Sequence, residues 1–223
     1  VAKAATKKPE PKSLLTIIDC VQGSELWHRE KIGIPSASNF ATIMASGRDG
    51  GASVTRTKLL HRMATEVITG EPVAEGFKSA AMERGNQMEA EVRESYSKRK
   101  NVEVQQVGFA KNFAGLMHAG ASPDGLLGFD GGLEIKTAEG HVLIPLLDRP
   151  QSAVMDHRWQ IQGNMWIFER NWWDLCVYCH PKMPKVDVRI DRDEAMIRQI
   201  SEQVQTFNFD LKRLIEKLRS MGA

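Results

Sequence analysis

The chain has 223 residues, with 30 Lys and Arg against 28 Asp and Glu, for a formal net charge of +2. A composition that is 42% hydrophobic and 26% charged, with 18 Gly and 9 Pro, excludes disordered, collagen-like and coiled-coil chains. The longest stretch free of acidic and basic residues, 32–47, contains Pro35, Ser36, Ser38, Asn39 and Ser46, which excludes a helical membrane span of about 20 apolar residues.

Residues 1–12 carry Lys3, Lys7, Lys8 and Lys12 against Glu10 and read as a flexible tail without the apolar segment of a secretion signal. Residues 13–223 show no repeat and no long linker, so one domain is expected. Ser24–Lys31 predicts a helix around Trp27, stopped by Gly33-Ile34-Pro35. Ser36–Ala45 predicts a second, with Ser36 as its N-cap. The GRDGG run at 47–51 is no Walker loop, because no Lys-Ser/Thr follows; it reads as a mobile loop in which Arg48 could meet DNA. Thr55–Thr69 predicts a helix with Leu59, Leu60, Met63 and Val67 on one face, closed by Gly70 and Pro72. Ser79–Lys98 predicts a longer one, with Gly85, Glu89, Val92 and Tyr96 along a single stripe.

At Val102, Val104, Val107 and Phe109 the period falls to two, the signature of strands. Gly125–Phe129 and Leu133–Thr137 flank Asp130-Gly131-Gly132 and predict a hairpin turning there. A helix over Gln151–Phe168 follows, then strands over Trp173–His180 and Lys185–Ile190. The closing helix steps through Ile197, Ile200, Val204, Phe207, Leu211, Leu214 and Leu218. Helices flanking a central mixed β-sheet make the fold class α/β (α+β). Cys20, Cys176 and Cys179 are too few for a disulfide framework, so a reducing, cytoplasmic setting is expected. Cys176 and Cys179 fall on opposite faces of their strand, which argues for core positions rather than a zinc or redox pair.

The chemistry concentrates between Ser122 and Gly140. Asp124 precedes the first hairpin strand, while Glu134 and Lys136 share one face of the second. Folding the hairpin can bring two carboxylates and an ammonium to one spot. Hard oxygen donors suit Mg²⁺ or Mn²⁺, which keep several waters, polarise a phosphoryl oxygen and acidify a bound water. Lys136 could orient or deprotonate that water, or neutralise charge developing in the transition state. A surface salt bridge would leave the same pattern, but the apolar residues around these charges make idle burial costly. Glu89 interrupts the apolar stripe of its helix and needs a partner, either a metal ion or an Arg or Lys. His157, Gln160 and Asn164 form a polar stripe on the next long helix, against a mostly apolar one of Met155, Trp159, Gln162 and Trp166. Amides there could serve a phosphate site or simply face solvent.

Pro123-Asp124 followed by Glu134-Ile135-Lys136 resembles the PD-(D/E)xK nuclease motif. The wider set of segments resembles the lambda exonuclease and YqaJ-like viral recombinase family: WHREKIGIPSASN (27–39), ERGNQMEAEVR (83–93), HAGASPDGLL (118–127), LEIKT (133–137) and WQIQGNMWI (159–167), in the family's order. The resemblance implies a restriction-endonuclease-like core and a metal-dependent exonuclease that degrades one strand of duplex DNA from its 5′ end, releasing mononucleotides and leaving a 3′ overhang. It implies two Mg²⁺ ions, with Mn²⁺ able to substitute, held by Asp124, Glu134, Ile135 and Glu89. Lys136 matches the lysine beside the nucleophilic water, and Gln160 the glutamine near it. Lys31 and Ser38 match the positions that hold the 5′-phosphate, while Trp27, read from its residue type, is a core or interface anchor or could stack near a DNA end. Here lysine replaces an arginine, which keeps the charge and loses the bidentate fork. The resemblance further implies a homotrimeric ring on duplex ends, a single-strand annealing protein as partner, and a phage or prophage origin.

Overall fold

The computed structural model describes residues 15–47, 50–73, 80–114 and 117–222; the expected N-terminal tail and Arg48 lie outside them. In chain order the elements are β1 (Leu15–Ile18), α1 (Glu25–Lys31), a 3₁₀ turn (Ala37–Asn39), α2 (Phe40–Met44), α3 (Val54–Thr69), α4 (Ala80–Lys100), β2 (Phe109–Ala114), β3 (Met117–Ala121), β4 (Gly125–Leu127), β5 (Gly131–Thr137), α5 (Gly140–Asp148), α6 (Ser152–Phe168), β6 (Trp172–Tyr178), β7 (Val186–Asp191) and α7 (Glu194–Ser220). Local chemistry sets the helix ends. Ser24 caps α1 by accepting the Trp27 N–H at 3.2 Å, and Ser53 caps α3 by accepting that of Arg56 at 3.1 Å. Gly70 closes α3 in the left-handed region, and Asp193 caps α7 through the N–H groups of Ala195 and Met196.

The mixed α/β class holds, but the strands divide between two sheets rather than forming one. One is antiparallel, in the order β1-β2-β3; the other runs β4-β5-β6-β7, with β5 and β6 parallel and the outer pairs antiparallel. On one face of the second sheet, Trp173, Leu175 and Val177 of β6 share a buried cluster with Ile161, Met165 and Ile167 of α6 and Ile200, Val204 and Phe207 of α7. On the other, Leu133 and Ile135 of β5 join Cys176 and Tyr178 of β6 and Val92 and Tyr96 of α4. The alternation that turns Leu133 and Ile135 toward α4 turns Glu134 and Lys136 toward α6. It also separates Cys176 from Cys179, which packs on the opposite cluster.

Three further expectations are corrected. The hairpin turns at Gly128-Phe129-Asp130, with Gly128 at φ +53, and Gly131 and Gly132 belong to β5. Those glycines accommodate rings: a Cβ at Gly131 would lie 2.1 Å from the Trp172 ring, and one at Gly132 2.3 Å from that of Trp173. Residues 102–107 contribute only a bridge between Gln105 and Leu126, and strand structure begins at Phe109. The segment 36–45 opens as a 3₁₀ turn before α2, because Asn39 folds back to accept the Ser36 N–H. At the described ends of the 47–51 loop, Ser46 and Ala52 form a bridge and the Gly47 N–H donates to the Gly51 carbonyl at 2.8 Å. The strands β1 and β3 and the helix α5 had no counterpart in the sequence reading. Among the described residues no helix is long and apolar enough to cross a membrane.

Candidate active site

Glu134 is buried at the centre of β5, and its carboxylate is held from three sides. Gln160 Nε2 and Lys136 Nζ donate to Oε1 at 2.5 and 2.6 Å, and Asn164 Nδ2 donates to Oε2 at 3.1 Å. Gln160 and Asn164 stand four residues apart on α6, so one helix face presents both amides. A buried charge is tolerated only when bonded in this way. The polar stripe foreseen on α6 therefore addresses the β5 carboxylate, with Asn164 itself buried. The opposite stripe is mixed: Trp159 and Trp166 pack on the core, Met155 is exposed, and buried Gln162 donates to the Asp191 carbonyl while accepting the Asp193 N–H.

Asp124 reaches the same spot through the backbone. Leu133 pairs with Gly125, but β4 begins there, so two residues later Ile135 directs its backbone groups to an edge with no strand alongside. Asp124 Oδ2 takes the Ile135 N–H at 2.5 Å. The preceding Pro123 carbonyl accepts Gln22 Nε2, which also donates to the Val107 carbonyl, both at 3.0 Å.

Burial lifts the Asp124 carboxyl well above its ordinary pKa, and repulsion from Glu134 and Glu89 adds to the rise against Lys136 and the Ile135 N–H. Burial also raises Glu89, opposed by Arg93. For Lys136, burial works downward, yet Glu134 and Asp124 outweigh it and hold the ammonium above its usual value. His157 is lowered by burial and by Lys136, which favours a neutral ring beside the cluster.

The fold brings Asp124, Glu134, Lys136 and Gln160 together, with Asn164 beside them. Glu89 faces the cluster electrostatically, but its carboxylate is engaged by Arg93, so α4 realises the arginine partner. Arg93 also donates Nε to the Asp124 main-chain carbonyl at 2.7 Å. The sequence reading passed over Arg93, although its i+4 spacing from Glu89 is the usual signal of such a pair.

Trp27 is tied to the Asp124 segment: its indole N–H donates to Ser122 Oγ at 2.7 Å, two residues before Asp124. Lys31 Nζ lies 3.7 Å from the centroid of the Trp27 ring. Both line a cleft of about 380 Å³ with His28, Asn39, Arg62 and Glu66. Ser38 is exposed, with its Oγ 3.0 Å from that of Ser36. A second cleft, of about 480 Å³, lies between the Ser46–Ala52 loop, Arg56 and the α7 residues Thr206 and Asp210. Neither cleft is lined by Asp124, Glu134 or Lys136.

The donor set suits a hard cation. Asp124 and Glu134 offer carboxylate oxygens, the Ile135 backbone faces the Asp124 edge, and repulsion among Asp124, Glu134 and Glu89 is what a divalent ion would relieve. Among the described residues, no three His, Cys, Asp or Glu side chains already close on one point.

The model of a family described as YqaJ-like viral recombinase domain matches residues 26–171, which take in Trp27, Glu89, Asp124, Glu134, Lys136 and Gln160. Among solved structures, an alkaline exonuclease from Laribacter hongkongensis, LHK-Exo, aligns at a TM-score of 0.76 with 27% identity, covering 89% of this chain and 97% of that one. Its complex with dAMP gives the same values. A phage related exonuclease from Haemophilus somnus 129PT shares the fold, at a TM-score of 0.69 and 15% identity over 83% of this chain and 96% of that one. No curated protein matches the chain.

Proposed function

The chain belongs to the YqaJ-like viral recombinase family, and from that premise we propose that it is an exonuclease on double-stranded DNA, hydrolysing phosphodiesters from the 5′ end with divalent-cation assistance. The observation that carries this reading is the meeting of Asp124, Glu134 and Lys136 on one edge of β5, with the α6 amides of Gln160 and Asn164 closing over it. The similarity to LHK-Exo supports it. On this reading Asp124, Glu134 and the Ile135 carbonyl, with Glu89, would hold two Mg²⁺ ions, or Mn²⁺ in their place. Bound cations supply Lewis-acid polarisation of the phosphoryl oxygen and a water acidic enough to attack at neutral pH.

The chain's own groups do the rest. Lys136, kept charged by its acidic neighbours, stands beside the attacked phosphate and offsets the negative charge that builds there. Gln160 and Asn164 hold Glu134 in one orientation, and Gln160 can share its amide with the attacking water. Lys31 and Ser38 hold the terminal 5′-phosphate, with Trp27 against the end of the duplex. A homotrimeric ring around DNA and delivery of the 3′ overhang to a single-strand annealing protein complete the proposal, in a phage-type recombination within a bacterial cytoplasm.

One assay tests it: digestion of linear and of covalently closed circular duplex, with Mg²⁺ or with chelator. Mononucleotides released from linear DNA alone, only with Mg²⁺, and no digestion by Glu134→Ala despite retained duplex binding, are expected. Cutting of closed circles would make the chain an endonuclease on the same core. Binding without cutting would make it a non-catalytic DNA-binding module.

A further inference from the structure

From the two hydrogen bonds of one guanidinium, we infer that Arg93 is a positioning residue that sets the Asp124 turn and the Glu89 carboxylate relative to each other. This inference rests on the cation-dependent reading of the site. Arg93 sits on α4 with its side chain mostly buried. Its Nε donates to the Asp124 main-chain carbonyl at 2.7 Å, and its Nη2 donates to Glu89 Oε1.

The two acceptors belong to separate parts of the fold. Glu89 lies one turn earlier on α4, while Asp124 heads β4 in the hairpin. The described contacts between α4 and the hairpin are otherwise apolar, through Val92 and Tyr96 against Leu133, Ile135 and Leu127. Apolar packing fixes the distance between helix and sheet but leaves small shifts along the helix axis cheap, because dispersion is not directional. A planar fork with two bonds in fixed directions removes that freedom. The anchor is steadied from the far end of α4, where Tyr96 Oη donates to Asp174 Oδ2 at 2.5 Å and Arg99 Nη1 donates to Asp187 Oδ2 at 2.5 Å.

Arg93 therefore acts through Asp124 and Glu89 rather than on the substrate. A lysine keeps the charge but has one donor centre, which cannot span both acceptors. Outer groups that orient metal ligands contribute through ligand geometry, and their loss weakens ion binding by about tenfold or more.

The test measures Mn²⁺ binding to the purified full chain by electron paramagnetic resonance, alongside digestion of linear duplex. Wild type, Glu134→Ala, Arg93→Gln and Arg93→Lys are compared, each checked for a cooperative thermal transition. Arg93→Gln and Arg93→Lys are expected to bind Mn²⁺ about tenfold more weakly than wild type. Both should lose kcat with the KM for duplex unchanged, which separates ligand setting from contact with DNA. Should Arg93→Gln not fold, Arg93→Lys carries the same comparison. Mn²⁺ binding at the wild-type level in Arg93→Lys would overturn the inference, as would a rise in KM matching the fall in activity. If wild type binds no Mn²⁺ that Glu134→Ala abolishes, the cation-dependent reading falls and this inference with it. If wild type binds and Arg93→Lys equals it, only the role of Arg93 falls.

Discussion

Asn164 donates its side-chain amide to Glu134 Oε2 across 3.1 Å, one buried group holding another. Replacing it with leucine keeps the volume and removes the donor, leaving part of a buried carboxylate unsatisfied. Asn164→Leu is expected to lose about 1–3 kcal/mol of stability in urea unfolding, and to digest DNA more slowly. An unchanged unfolding midpoint would mean that Gln160 and Lys136 alone satisfy the acid.

The acid cluster makes stability depend on pH in a stated direction. A carboxyl lifted above its unfolded pKa adds stability below the unfolded value and gives it up as pH climbs through the folded one. Asp124 is such a group, through burial first and then Glu134 and Glu89. Within that window the loss is about 1.4 kcal/mol for each pH unit crossed. Asp124→Asn, which retains an acceptor for the Ile135 N–H, is therefore expected to exceed wild type in thermal midpoint at pH 8 in chelator. The difference should vanish toward pH 4; a pH-independent one would contradict the burial of that charge.

Lys31 and the Trp27 ring form one unit, the ammonium 3.7 Å from the ring centroid. On the proposed reading this unit receives the terminal phosphate. Lys31→Ala should erase the rate advantage of 5′-phosphorylated over 5′-hydroxyl ends, measured on otherwise identical duplexes. Equal slowing on both substrates would assign Lys31 to packing alone.

Gly132 faces the fully buried ring of Trp173, where an added Cβ would sit 2.3 Å from ring atoms. Gly132→Ala must displace an indole or bend β5, at a cost of about 1–3 kcal/mol. The same shift moves Glu134, two residues on, so activity is expected to fall together with the thermal midpoint.

The features legible in the sequence are those with a local cause. Ser24 and Gly70 mark their helix ends through bonds that span only a few residues. The alternation of β5 likewise placed Glu134 and Lys136 on one face. What stayed hidden depends on distant partners. Asp130-Gly131-Gly132 imitates a turn, whereas its glycines answer to Trp172 and Trp173, some forty residues later and adjacent only through a parallel pairing. The Met117–Ala121 strand is small and weakly patterned, and gains its state from pairing with β2. The helix α5 carries Pro145 in its interior, which weakens its local helix signal. The site divides in the same way. Its acids and Gln160 stand in a recognisable order, but Arg93 matters through the Asp124 carbonyl, a main-chain atom that leaves no trace in residue spacing.

The Trp27 indole bonds Ser122 Oγ across 95 residues of sequence. It clamps the segment proposed to grip a terminus onto the segment proposed to sever the strand, so the stride between grip and cut becomes a property of the folded scaffold. Product length would then be uniform from the first cleavage to the last, whatever the base sequence, and lengthening that reach by mutation would change what is released rather than how fast.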